Sequence, residues 1–192
     1  MLSKEAYIIT CRNWVEQIVI KHNFCPFAHK PAKHNLIRYQ VSLANDENDL
    51  IADIIDELSL LQHADPNETE TSILIAPACF ADFDQYNQFL DVIDALIKQF
   101  NLEGIIQVAS FHPDYQFADL EREDVRNYTN RSPYPMFHFI REDSIESARS
   151  SMQDTELIPE RNMAFLETLG VNAIQIQLNA CFPKKSDDPS GE

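Results

Sequence analysis

Residues 3–22 carry Tyr7, Ile8, Cys11, Trp14, Val15, Ile18, Val19 and His22 at three- and four-residue steps. Side chains at that spacing share one helical face, so the segment predicts an amphipathic helix, with Ser3 as its cap. Cys11 lies on the apolar stripe and reads as a core thiol rather than a nucleophile. The pattern stops at Asn23-Phe24-Cys25-Pro26-Phe27, where Pro26 restricts Cys25 to an extended conformation. A strand is predicted over 36–43. A second helix follows, capped by Asn45, with Leu50, Ile51, Ile54, Ile55, Leu58 and Leu61 on one face. The run 71–77 is short and nearly all apolar, as a buried strand would be. A third helix carries Tyr86, Phe89, Leu90, Ile93, Ile97 and Phe100, and the next strand spans 105–111.

Strand, helix, strand, helix, strand with short joints predicts two crossovers over a small, mainly parallel sheet of about four strands. The fourth strand is placed at 136–140, after a long irregular stretch. Asp143-Ser144 starts a further helix, Pro159 fits the first turn of the next, and Gly170 its end. Over 171–182, Ile174, Ile176 and Leu178 alternate as in a strand, while Val171, Ile174, Leu178 and Cys181 suit a helix, which is the preferred reading. The expected fold class is α/β, with α+β as the fallback. One domain is expected over residues 1–182, with a disordered polar tail over 183–192.

Composition narrows the function classes. The chain holds 192 residues, 44% hydrophobic and 24% charged, with a net charge of −16. So acidic a surface repels phosphate backbones and anionic lipids, so neither nucleic acid nor membrane is an expected partner. No apolar run is long enough to span a bilayer and no signal pattern opens the chain, which makes a cytoplasmic location the expectation. The cysteines Cys11, Cys25, Cys79 and Cys181 are widely spaced, without a Cys-x-x-Cys pair, and fit reduced thiols. The three glycines exclude a dinucleotide turn, a P-loop and a nucleophile elbow. Six arginines, from Arg122 to Arg161, cluster late in this acidic chain, as a local anion site or as partners of neighbouring carboxylates.

Candidate chemistry gathers between Gln107 and Glu142. His112 and Asp114 emerge where a buried strand ends, the edge at which ligands collect in parallel sheets. Alternate residues of an extended segment share a side, so His112 can be an acid/base and Asp114 its orienter. Tyr115 follows them. The alternative is a strand-end turn, with Asp114 bonding amides and His112 packed among aromatics. Asn127, Asn130, Arg131 and Ser132 lie in a loop stiffened by Pro133 and Pro135, either of which could be cis. That loop could clamp a carboxylate or phosphate through a bidentate Arg131, or be a self-satisfied Ω-like loop. His138 alternates with Phe137 and Phe139, leaving Arg141 on the phenylalanine side. Cys25 is the remaining nucleophile candidate, its thiolate favoured if a helix starts after Pro26.

At these residues the chain resembles a known family, the domain of unknown function 1415 proteins. The matching pieces include Trp14-Val15-Glu16, Asn23-Phe24-Cys25-Pro26-Phe27-Ala28, the string from Gln107 to Phe117 and that from Asn127 to Met136, with His138, Arg141-Glu142 and Glu160-Arg161-Asn162. The resemblance implies no reaction, substrate, cofactor or catalytic residue; it lends weight to the polar segments already singled out.

The leading expectation is an enzyme or small-ligand protein with a polar pocket for an anionic, phosphorylated or carboxylated metabolite. Its catalytic candidates are His112, Asp114, His138 and Cys25, and its ligand-binding candidates Tyr115, Asn127, Asn130, Arg131, Ser132 and Arg141. The alternatives are a metalloprotein using both histidines with Asp114 or Glu142, and a non-catalytic interaction protein with an acidic surface.

Overall fold

A computed structural model of the protein describes residues 2–150, 152 and 154–183. The polar tail from 184 onward lies outside the described residues. Helix α1 (Lys4–Trp14) begins where expected, with the Ser3 side chain accepting the Ala6 amide at 3.2 Å. It then widens into a π-helical stretch, Val15–Ile20, which brings Val15, Ile18 and Val19 into the core. Asn23, at φ 56°, turns the chain in the left-handed region that asparagine tolerates. A 3₁₀ turn (Pro26–Ala28) and the short α2 (His29–Lys33) lead into β1 (Ile37–Val41).

Two β-α-β units follow as read: β1, α3 (Glu47–His63), β2 (Thr71–Ile75), α4 (Phe83–Gln99) and β3 (Ile106–Phe111). The cap of α3 is Asp46, accepting the Asp49 amide at 3.0 Å, rather than Asn45. Asp82 caps α4 in the same way. Strand β4 (Met136–Arg141) runs directly into α5 (Glu142–Ser150), and the chain closes with α6 (Ile158–Leu169) and α7 (Val171–Ala180). The ambiguous segment is therefore helical. Gly170 both ends α6 and starts α7, at a φ of 81° that a side chain would strain.

The strand order is β1-β2-β4-β3, and this corrects the expectation of a mainly parallel sheet. The first three strands share a direction, as the crossovers require. However, β4 inserts antiparallel between β2 and β3, so only β1 and β2 form a parallel pair. The sheet is mixed, and the four strands match the number expected.

Helices cover both faces. Phe137 and Phe139 of β4 enter one core with Leu50, Ile54, Tyr86 and Ile93 from α3 and α4. Met136 enters the other, with Trp14, Ile18, Ile75 and Ile174. Every prolyl bond among the described residues is trans, Pro133 and Pro135 included. No helix among them is long and apolar enough to cross a membrane.

One buried charge ties the sheet to α3. Glu57 receives Arg38 Nε at 3.0 Å and Nη2 at 2.9 Å, and Ser72 Oγ donates to it at 2.6 Å. Removing one partner leaves the other desolvated and unpaired. We expect Glu57→Ala to lower the unfolding free energy by about 3 kcal/mol in urea titrations, and Ser72→Ala by about 1 kcal/mol. Replacing both ends with apolar groups, as Arg38→Met with Glu57→Leu, should recover most of the loss.

Candidate functional site

The loop between β3 and β4 spends its polar groups on itself. His112 is 1% exposed, packed against Phe83 and Tyr86. Its Nε2–H donates to Phe80 O at 2.8 Å and its Nδ1 accepts the Asp114 amide at 3.0 Å. Both ring nitrogens are thus occupied by main chain, and burial holds the imidazole below its ordinary pKa. The backbone of Asp114, not its carboxylate, orients the ring. That carboxylate points to solvent and pairs with Arg122 at 3.3 Å.

Arg131 donates from Nε to Tyr115 O at 3.2 Å and from Nη2 to Arg122 O, and its guanidinium lies over the Tyr128 ring. The Tyr115 ring packs against Phe83 and Phe117. Asn127, fully buried, accepts the Phe117 amide and donates to the carbonyls of Glu121 and Arg122. Asn130 donates to Ser110 O, and buried Ser132 donates to Tyr134 O at 2.6 Å. These groups brace a loop whose main chain would otherwise be unsatisfied. His112 and His138 sit on opposite faces of the sheet, among different cores. Among the described residues no three His, Cys, Asp or Glu side chains meet in a group able to hold a metal ion.

Cys25 and His138 border one space. Both line a hollow of about 330 Å³, walled by Pro26, Phe27, Pro31, Ile37, Ile140, Ile145 and Met152. Its floor is the sheet at the first residues of β1 and β2 and the late part of β4. That is the edge opposite the one expected, and α5 lies over it. Cys25 also borders a second hollow of about 300 Å³, with Val19, Phe24, Phe111, Phe117 and Asn130 on its wall. The amides of Phe27 and Ala28 favour the thiolate of Cys25, but burial outweighs them and the thiol is pushed up. A helical start after Pro26 is present, therefore, without the activation expected of it.

His138 owes its place to register. On β4 it pairs with Ile73 of β2 and Ala109 of β3, and the small alanine leaves room beside the ring. Thr71 sits diagonally across, with Oγ1 2.6 Å from His138 Nε2 and 2.7 Å from Phe139 O. A hydroxyl has one proton, and a carbonyl only accepts, so Thr71 donates to Phe139 O. It must then accept from His138, which fixes the Nε2–H tautomer and leaves Nδ1 as a bare lone pair. Burial depresses this imidazole to about 4. Thr71 and its neighbour Glu70 were missed by sequence reading; a polar residue opening an apolar strand was the available signal.

Beside the hollow lies a polar groove of about 650 Å³, lined by Lys30, His34, Asn67, Glu70, Arg141 and Asp143 among others. Lys30, Glu70, Ser144 and Ser147 line both spaces, so the groove adjoins the hollow at its mouth. Arg141 donates from Nη2 to Ala64 O at 2.7 Å, and its buried Nε has no partner. Lys30 forms no ion pair among the described residues.

The model of a family described as "Protein of unknown function (DUF1415)" matches residues 6–176. That span contains the braced loop, the hollow and its mouth. No curated protein and no solved structure matches the chain significantly.

Two outcomes follow. A buried neutral histidine binds fewer protons folded than unfolded between its two pKa values. Its contribution is whole above about 6.5 and declines as pH falls to about 4. The urea-derived stability of the protein should drop over that window by about 2–3 kcal/mol more than that of His138→Gln. Arg131→Ala, which frees two carbonyls and unstacks Tyr128, should cost about 2 kcal/mol at neutral pH in the same assay.

Proposed function

The chain belongs to the DUF1415 family, and we propose that it is a small-ligand-binding protein whose site is the hollow walled by Cys25, Thr71 and His138. The observation that carries this reading is the contrast between two polar clusters. The groups around His112 and Arg131 are consumed by internal hydrogen bonds and His112 borders a space of only about 120 Å³, whereas Cys25 and His138 line one of about 330 Å³. Ligand sites are mostly apolar cavities with a few placed polar groups, and this hollow has that character.

The expectation of an anionic metabolite moves to the mouth. In a protein of net charge −16, Lys30 and Arg141 supply the cations there, and Lys30 forms no ion pair among the described residues. Inside, a thiol pushed up and an imidazole held neutral offer no charge to an anion. The ligand this arrangement suits has an apolar body for the hollow and a carboxylate or phosphate that remains at the wet rim. Among the described residues no donor set for a metal ion comes together, and His112 and His138 lie on opposite faces of the sheet.

Octanoate is a suitable probe, with an apolar chain and one carboxylate. We expect it to raise the melting temperature in a concentration-dependent way, while Ala148→Phe, which fills the hollow from α5, abolishes the shift. Lys30→Glu should weaken octanoate about three- to tenfold and leave octanol binding unchanged. A melting temperature indifferent to octanoate and octanol alike would remove the hollow from consideration.

A further inference from the structure

We infer that His138 Nδ1 is the specificity element of the hollow and selects ligands that present a neutral hydrogen-bond donor, an N–H or O–H, to its floor. This inference rests on the hollow being the binding site and adds what the ligand must carry at its buried end.

The tautomer is set inside the protein. Thr71 gives its only proton to Phe139 O at 2.7 Å and therefore takes one from His138 Nε2 at 2.6 Å. Nothing in that arrangement depends on a ligand. The same geometry leaves Nδ1 as an acceptor with no partner among the described residues. Among the described residues the buried side-chain atoms without a partner are Tyr134 Oη and Arg141 Nε, and His138 Nδ1 is not one of them. The ring lines the hollow, with Nε2 already engaged by Thr71. Water can serve that lone pair. An apolar ligand that displaces the water without replacing its hydrogen bond leaves a buried acceptor unsatisfied, which costs affinity.

The rest of the cavity sharpens the requirement. Pro26, Phe27, Ile37 and Ile140 line the same hollow and give it an apolar body, in which a charged donor would lose its hydration. Glu70 lines both the hollow and the polar groove, so it stands where the two spaces adjoin. A cationic amine is therefore satisfied at the rim, while a neutral indole, phenol or amide donor is satisfied against Nδ1. The selection is one of rejection as much as attraction, because a site built around a polar group penalises analogues that lack the match.

Indole and benzothiophene test this directly. They share shape and apolar area, and only indole has an N–H. By calorimetry we expect indole to bind the wild-type protein about tenfold more tightly than benzothiophene. His138→Gln keeps a donor for Thr71 near the Nε2 position and lacks the acceptor at Nδ1, so the preference should vanish. His138→Asn places its carbonyl oxygen near the Nδ1 position and should restore it. With ¹⁵N-histidine, indole should move the Nδ1 resonance upfield, as donation to an unprotonated ring nitrogen does. Equal binding of the two probes, or a preference that survives in His138→Gln, overturns the inference while leaving the hollow as the site. Failure of both probes and of octanoate overturns the site as well.

Discussion

A strand in the interior of a sheet must be hydrogen-bonded along both edges and covered on both faces, and β4 meets that demand for the whole molecule. It pairs antiparallel with β2 on one side and β3 on the other. Phe137 and Phe139 project into the α3/α4 core, while Met136 and His138 project the other way. The crossover from β2 to β3 could not close a sheet without it, because those two strands are parallel but do not pair. Tyr86 finishes the ladder at its end, donating to Met136 O at 2.7 Å and accepting the Phe111 amide at 3.0 Å.

The long route from β3 to β4 follows from the same constraint. The chain must leave β3, turn, and come back between two strands, which exposes main-chain groups that no ladder serves. Arg131, Asn127, Asn130 and Ser132 satisfy those groups one by one. Trp14 joins from the facing helix, donating Nε1 to Arg131 O at 3.1 Å. A string so rich in polar side chains reads like an active-site loop in one dimension. In three dimensions its side chains also hold irregular backbone at the edge of a core, where an unpaired amide or carbonyl is costly.

Register carries this reasoning to the hollow. Because β4 is antiparallel, its late residues lie beside the first residues of β2, so His138 and Ile140 meet Thr71. The π-helical widening at Val15–Ile20 and the left-handed Asn23 deliver Cys25 and Pro26 to the same edge from the N-terminal side. Segments more than a hundred residues apart thus wall one cavity. The chemistry there is subdued, with a thiol pushed up and a histidine held down.

Local pattern was enough for much of this protein. Helical spacing of apolar residues, the Ser3 cap, the Gly170 stop and the buried run at Thr71 each depend on neighbours a few positions away, and each was legible. Cys11 was read correctly as a core thiol for the same reason. The cap of α3 was misplaced by one position because Asn45 and Asp46 are both able caps and only the backbone chooses. What sequence could not supply was the insertion of β4, since strand order is decided by long-range pairing that leaves no local periodicity. The use of each polar group was equally hidden. His112 and His138 both emerge from strands, but one is enclosed by aromatic rings with its nitrogens taken by main chain, and the other keeps a lone pair open to space. That difference lies in which backbone atoms fold back within 3 Å of each ring, and only the tertiary structure determines it.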